Sequence, residues 1–174
     1  FISTSGSTGA PKLCSHFIES LFSSAHRSMT HQPIGDTESI ILSLSPAHMG
    51  GLLAITKSIL SGAILRLDSS NWVDAVHESD MHFMIVPQQI RKLLDLINST
   101  IQIKSIKSVL IGGDSIPVHL REELFQLGIP AIFSYGLTET CGQITATSKH
   151  AISLHSGFSL PDINLKLMDG SLLV

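Results

Sequence analysis

The stretch Ser108-Val109-Leu110-Ile111-Gly112-Gly113-Asp114-Ser115-Ile116-Pro117 joins a predicted strand to a predicted helix, and it decides the fold class. Ser108 and the apolar residues 109–111 predict a short buried strand, and the paired glycines predict a turn. Pro117 is suited to the first position of a helix. Leucines recur at helical spacing after it, and Gly128 follows them where a helix commonly ends. This stretch is therefore one β-α unit.

The same alternation of strand and helix patterns extends in both directions from this unit. Towards the amino end, apolar spacing predicts helices over 17–29 and 52–60 and strands over 40–44, 63–67 and 82–86, with a further helix opened by Pro87. Towards the carboxyl end, a strand is predicted over 129–134. Repeated β-α units predict an α/β fold with a largely parallel sheet and flanking helices. Alternating apolar residues in 163–167 and a turn at Asp169-Gly170 predict a small β-rich C-terminal segment.

Composition limits the class of protein and of partner. The 174 residues are 43% hydrophobic and 14% charged, which suits a packed globular chain, and no apolar run reaches the roughly 20 residues that span a bilayer. The 11 basic and 14 acidic side chains argue against a nucleic-acid partner. Two isolated cysteines, Cys14 and Cys141, suggest reduced thiols, so a cytoplasmic location is expected. The histidines form no zinc pattern.

A Ser/Gly-rich run near the beginning predicts a phosphate-binding loop. It reads Ser5-Gly6-Ser7-Thr8-Gly9-Ala10-Pro11-Lys12. Its glycines allow phosphate oxygens to approach backbone N–H groups, its hydroxyls add donors, and Lys12 adds a mobile positive charge. Because Pro11 precedes the lysine and Leu13 follows it, the run is not a Walker loop. A flexible linker is the alternative interpretation of this composition.

A second run, Tyr135-Gly136-Leu137-Thr138-Glu139, follows the last predicted strand of the sheet. The Tyr135 ring can stack on a base, and Gly136 leaves room for a ligand. The Thr138 hydroxyl can donate to a phosphate, and Glu139 is a hard oxygen ligand suited to Mg²⁺. Taken alone, the run also fits a tight turn with a solvated Thr-Glu pair.

Together, these motifs and their order resemble the adenylate-forming superfamily of acyl-CoA synthetases, adenylation domains and luciferases. Thr4 to Lys12 match its phosphate loop, and Tyr135 to Glu139 match its adenine and magnesium segment. Residues 106–147, together with Pro46-Ala47-His48-Met49-Gly50-Gly51-Leu52 and Val86-Pro87-Gln88-Gln89, are most similar to the o-succinylbenzoate-CoA ligases of menaquinone biosynthesis.

The resemblance implies an ATP-dependent acid-CoA ligase that forms an acyl adenylate and then a CoA thioester, with ATP, Mg²⁺ and coenzyme A as cofactors. It implies that the triphosphate is bound by the hydroxyls, glycines and lysine of the first run: Thr4, Ser5, Gly6, Ser7, Thr8, Gly9 and Lys12. Adenine is expected at Gly112, Gly113, Asp114, Tyr135 and Gly136. Thr138 is expected at the α-phosphate and Glu139 at the metal.

His48 is expected by resemblance at the acyl pocket, where an imidazole can contact a substrate carboxylate or gate the channel. The alternative is a histidine at a helix entry, bonded to nearby backbone. One residue, Ala47, separates Pro46 from His48 where the family usually has two, and Gln88 stands where these ligases often have threonine. An acid other than o-succinylbenzoate (fatty, aryl or amino) therefore stays open.

The domain organisation implied by the resemblance is a nucleotide-binding α/β core over 1–150, without its upstream part, and the start of a β-rich subdomain over 151–174. The chain begins at Phe1 rather than at a methionine, so we expect it to be part of a longer protein. A C-terminal domain bearing a lysine is expected beyond it. A truncated nucleotide-binding module without catalysis is the alternative from another class of protein.

Overall fold

A computed structural model describes residues 1–4, 12–67, 72, 80–150, 155–169 and 171–174. The strands in these ranges are β1 (Ile2–Thr4), β2 (Lys12–Cys14), β3 (Ser39–Leu42), β4 (Ile64–Leu67), β5 (Met81–Ile85), β6 (Ile106–Ile111), β7 (Ala131–Leu137), β8 (Gly142–Ala146), β9 (Phe158–Ser159), β10 (Lys166–Met168) and β11 (Ser171–Leu173). The α-helices are α1 (Ile18–Met29), α2 (Met49–Ser61), α3 (Ile90–Ser99) and α4 (Val118–Gln126).

Seven strands form the central sheet in the order β4-β3-β5-β6-β7-β8-β9. The first five are parallel, while β8 and β9 are added antiparallel beyond β7. The predicted α/β fold with a largely parallel sheet is therefore confirmed. In the parallel part, the carboxyl ends of the strands meet at one edge, where ligands usually bind in open α/β sheets.

Both faces of the parallel part are covered by helices. The larger core packs alternate residues of β5, β6 and β7, such as Phe83, Val109 and Phe133, against the apolar faces of α3 and α4. On the opposite face, Ile40 and Met84 contact Ala54 of α2. All five residues of β5 are buried, which accounts for the apolar character of every one of them except His82.

Local signals place most helix ends where the sequence predicts them. Gly62 ends α2 in the left-handed conformation, with φ 76°, and its N–H donates to the Ser58 carbonyl at 2.9 Å. Gly128, with φ 69°, follows α4 in the same way. Pro87 starts a short 3-10 turn that leads directly into α3.

Three features differ from the sequence prediction. The helix predicted over 17–29 is present as α1, but Lys12–Cys14 before it forms β2, an unpredicted strand that pairs antiparallel with β1. The strand expected over 129–134 continues to Leu137, so Tyr135 and Gly136 lie within β7 rather than after it. Strand β8, which the prediction lacks, pairs with this extension.

The C-terminal residues form the predicted hairpin. Strands β10 and β11 pair antiparallel, with Lys166 opposite Leu173, in a two-stranded sheet separate from the central one. None of the helices in the described part combines the length and apolar character that crossing a membrane requires.

Candidate functional site

A cavity of about 690 Å³ opens at the carboxyl ends of the parallel strands, on the side covered by α1 and α2. Its wall includes Ile85 and Val86 at the end of β5 and Leu110 and Gly112 at the end of β6. Helix α2 contributes Met49, Leu53 and Lys57. The volume lies within the range usual for small-molecule sites.

The amino-terminal hairpin brings two predicted phosphate-site residues to this cavity. Thr4 and Lys12 are cross-strand partners in the β1–β2 pair, and both line the wall. The Thr4 hydroxyl oxygen is buried and has no hydrogen-bond partner among the described residues. Ser5, Gly6, Ser7, Thr8 and Gly9 lie outside the described residues.

The turn between β7 and β8 carries Thr138 and Glu139, and both line the same cavity. Thr140 fixes this turn because its hydroxyl accepts from the Leu137 N–H at 3.0 Å and lies 2.8 Å from the Gly142 carbonyl. Ser24 of α1 donates to the Cys141 carbonyl at 2.6 Å and so attaches the turn to the helix. The structure thus brings Thr4 and Lys12, the described ends of the first motif, to the same cavity as Thr138 and Glu139 of the second.

The loop after β6 lies opposite this turn. Gly112 and Gly113 line the cavity. A β-carbon on Gly112 would lie 2.5 Å from the Ser134 hydroxyl of β7, and Gly113 has φ 86°, so the glycines serve close packing and a left-handed turn. The Asp114 carboxylate accepts from Gln88 Nε2 at 2.9 Å, which joins the strand ends of β5 and β6.

Of the predicted adenine contacts, Tyr135 and Asp114 lie outside the cavity wall, and Gly136 has a structural role as well. Among the described residues, Tyr135 and Asp114 are not part of the cavity wall, and the Tyr135 side chain is 39% exposed on β7. Gly136 does line the cavity, but a β-carbon there would lie 2.0 Å from the Gly142 carbonyl oxygen. Gly136 is therefore required by the close approach of β7 and β8.

His48 lies at the residue that precedes α2 and lines the cavity with an exposed side chain. Its backbone N–H donates to the Ser45 carbonyl at 3.0 Å, and its side chain makes no capping hydrogen bond. The imidazole can therefore reach a ligand in the cavity.

Two further polar residues of the wall were missed by the sequence analysis. Lys57 is only 1% exposed, and burial lowers the pKa of its amino group to about 7. Gln143 is 8% exposed, and its Nε2 has no partner among the described residues, while its Oε1 accepts from the Ser28 hydroxyl. The sequence did contain a signal that Lys57 is unusual, because it is the one charged residue in the apolar run 49–62.

The donor set suits a polyanionic nucleotide with its metal. Thr4 and Lys12 supply a hydroxyl and a cation, while Glu139 supplies an exposed carboxylate on the same wall. No group of three His, Cys, Asp or Glu side chains among the described residues forms a metal cage. Magnesium commonly binds through one or two carboxylates and substrate phosphates, and Glu139 fits that mode.

Comparison with known proteins agrees with this geometry. The family model described as AMP-binding enzyme matches residues 1–173. The 2-succinylbenzoate–CoA ligase of Escherichia coli K12 is 31% identical over 166 residues, which cover 95% of this chain and 36% of the relative. The chain thus spans about a third of the length of such relatives.

Solved structures give the same result. The o-succinylbenzoate CoA synthetase of Bacillus subtilis in complex with the acyl-adenylate intermediate OSB-AMP has a TM-score of 0.86 and 29% identity, over 99% of this chain and 37% of that one. The same enzyme in complex with ATP and magnesium ion has a TM-score of 0.85 and 29% identity, over 99% of this chain and 38% of that one.

Proposed function

We propose, since the chain belongs to the AMP-binding enzyme family, that it forms the nucleotide and acid site of an ATP-dependent acid-CoA ligase. The favoured acid is o-succinylbenzoate, which places the protein in menaquinone biosynthesis. The observation that carries the proposal is that Thr4, Lys12, Thr138 and Glu139 line the same cavity. The proposal includes a cytoplasmic location.

In the proposed reaction, a carboxylate oxygen of the acid attacks the α-phosphorus of ATP and pyrophosphate leaves. The thiol of coenzyme A then attacks the acyl carbonyl, and AMP leaves. Lys12 neutralises phosphate charge, and Thr138 donates to the α-phosphate. Such chemistry depends on positioning and charge stabilisation more than on covalent participation by the protein.

Glu139 is the residue proposed to hold magnesium, which would offset phosphate charge when bound. The Glu139 side chain lies in the turn fixed by Thr140, on the wall shared with Lys12. Adenine is proposed to lie against Gly112, Gly113 and Gly136, with Asp114 and Tyr135 at the outer edge. Residues 1–150 form the proposed nucleotide-binding core, and 151–174 begin the β-rich subdomain.

The choice of acid is supported by Lys57. A buried amino group on the wall of a ligand cavity favours a ligand that supplies an anion. o-Succinylbenzoate carries two carboxylates, so one can react while the other pairs with the ammonium. Gln143 Nε2, which has no partner among the described residues, is a second donor available to the acid. An acid with one carboxylate leaves the lysine without an anion.

The test is acid-dependent pyrophosphate exchange by the purified protein that carries this chain, followed by thioester formation with coenzyme A. o-Succinylbenzoate is compared with 4-oxo-4-phenylbutanoate, which lacks the ring carboxylate, and with 2-butanoylbenzoate, which lacks the chain carboxylate. We expect exchange to be strongest with the diacid. Preference for a fatty, monocarboxylic aryl or amino acid would refute the substrate assignment. Absence of exchange with every acid, despite ATP binding, would favour the noncatalytic module.

A further inference from the structure

A continuous series of hydrogen bonds leads from Lys57 away from the cavity and through the interior of the protein. Lys57 Nζ donates to Gln32 Oε1 at 2.8 Å, and Gln32 Nε2 donates to the Ser108 hydroxyl, also at 2.8 Å. His82 Nδ1 lies 2.7 Å from that hydroxyl, and His82 Nε2 lies 2.7 Å from a Glu38 carboxylate oxygen. We call these five residues the Lys57–Glu38 chain.

Four members of the Lys57–Glu38 chain are shielded from solvent. Gln32 and Ser108 are 0% exposed, and Lys57 and His82 are 1% exposed. Only Glu38 reaches the surface, where its side chain is 19% exposed and lies 4.0 Å from Lys107. The members come from separate segments: α2, the turn after α1, β6, β5 and the residue before β3.

All hydrogen bonds in the Lys57–Glu38 chain are donated in the same direction, from Lys57 towards Glu38. A lysine ammonium can only donate, so Gln32 must present its oxygen to Lys57 and its amide N–H to Ser108. The Ser108 hydroxyl accepts that hydrogen and is left to donate to His82 Nδ1. His82 then carries its proton on Nε2 and donates to Glu38.

This direction of donation requires the His82 imidazole to be neutral, and the surroundings of His82 favour the neutral form. Burial lowers the pKa of His82, although the hydrogen bond and the negative charge of Glu38 oppose the effect. For Glu38, burial acts to raise the pKa, but the Gly35 N–H, His82 and Lys107 together lower it. A neutral imidazole thus donates to an ionised carboxylate.

We propose that Gln32 is a positioning residue for Lys57: oriented by Ser108, His82 and Glu38, it keeps the ammonium charged and fixes its place at the cavity wall. This inference rests on the proposed function, because it assigns to Gln32 the preference for an acid with a second carboxylate. The acceptor oxygen of Gln32 is the negative end of this aligned series of dipoles, and a cation placed there is stabilised relative to the neutral amine. Without the amide oxygen, Lys57 has no hydrogen-bond acceptor among the described residues until an anion binds.

Other titratable groups lie near Lys57 or near the other members of the Lys57–Glu38 chain. Across the cavity wall they are Lys12, His48 and Glu139, and behind the lysine they are His82 and Glu38, with the charge of Lys149 acting on His82. A comparison of variants at Gln32 leaves all of these in place.

The direct test is the pKa of Lys57, read by NMR of side-chain-labelled lysine in the protein that carries this chain and assigned by loss of the signal in Lys57→Met. Gln32→Met keeps the length of the side chain but removes the acceptor, so we expect the Lys57 pKa to fall below its wild-type value. Gln32→Glu retains an acceptor and adds a negative charge, so it should raise that pKa. Gln126→Met, on the exposed end of α4, is the matched control and should change nothing.

The kinetic test is the KM for o-succinylbenzoate and its pH profile. Gln32→Met should raise this KM about tenfold, as expected for loss of a hydrogen bond to a charged group, with little change in kcat or in the KM for ATP. It should also shift the fall of kcat/KM with rising pH to lower pH, and Gln32→Glu should reverse that shift.

An unchanged Lys57 pKa in Gln32→Met would overturn the inference. Should that variant fail to fold, Ser108→Ala removes the next link, and we expect the same direction of shift; no shift there would also overturn it. The NMR titration requires no turnover. If the protein activates a different acid but the pKa still responds to Gln32, the substrate proposal fails while the positioning role stands.

Discussion

Thr4 and Lys12 face each other across the β1–β2 hairpin, so the two ends of the Ser/Gly run are adjacent on the cavity wall. This pairing places a buried hydroxyl and a mobile cation at the same position. Both belong to the predicted phosphate loop, and they share the cavity wall with Thr138 and Glu139, which is the arrangement on which the proposed nucleotide site rests.

Replacing Lys12 by alanine should reduce acid-dependent pyrophosphate exchange by about 10²-fold or more, as expected for loss of a charge-stabilising donor. The Lys12 side chain is exposed, so the thermal unfolding midpoint should stay close to that of the wild type. The control is Lys104→Ala, which removes an exposed lysine outside the cavity wall. Equal exchange rates in the two variants would remove Lys12 from the proposed site.

Replacing Glu139 by glutamine should weaken the response to magnesium, because the amide keeps the size of the side chain but loses the negative charge. We expect the magnesium concentration for half-maximal exchange to rise about tenfold or more. Glu122→Gln on the exposed face of α4 is the matched control. A magnesium dependence identical in both variants would contradict the role of Glu139.

Much of the fold follows from local sequence signals. The β-α units around Pro87 and Pro117 and the helix end at Gly62 were predictable, because proline and glycine limit backbone conformation locally. Strands β2 and β8 were not predicted. Each is short and is stabilised by a partner strand, and neither shows a long apolar alternation of its own.

The candidate site was predicted only in part, for a related reason. Motif residues such as Lys12 and Glu139 are visible because their types and spacing are unusual. Lys57 and Gln32 are 25 positions apart, and only the packing of α2 against the segment after α1 brings them together. No local pattern reports a hydrogen bond that tertiary packing creates.

Replacing Gly136 by alanine should destabilise the hairpin that carries Thr138 and Glu139. The new methyl group would lie 2.0 Å from the Gly142 carbonyl oxygen, so β7 and β8 must separate. Gly128→Ala is the control, since φ is 69° there but no atom lies within 4 Å of the added carbon. We expect that control to lose about 1 to 2 kcal/mol from backbone strain alone.

The measurement is the free energy of unfolding in urea for both glycine variants. Gly136→Ala should lose clearly more stability than Gly128→Ala, because a backbone clash adds to any conformational strain. Equal losses would show that the two strands can move apart at no cost. Gly136 would then be free to serve the ligand rather than the hairpin.

Lys57 should make the stability of the protein depend on pH in a defined direction. Burial lowers the pKa of its amino group from 10.5 to about 7, so between these values the unfolded chain binds a proton that the folded chain does not. The free energy of unfolding should therefore rise with pH across this window, by up to about 1.4 kcal/mol per pH unit. Below the folded-state pKa the full cost of burying the charge is present.

Lys57→Met should remove this cost, because an apolar side chain of similar length fills the same space without a charge. We expect the variant to be more stable than the wild type near pH 7, with the difference narrowing between about pH 7.5 and about pH 8.5, because the folded wild type loses the Lys57 proton there while its unfolded chain keeps it. Lys104→Met, at an exposed position, controls for the loss of one positive charge and should leave the pH dependence unchanged. Urea unfolding of the three proteins across this window is the measurement. A constant difference between Lys57→Met and the wild type would mean that the buried amine titrates normally, and the electrostatic reason for an anionic ligand at Lys57 would be lost.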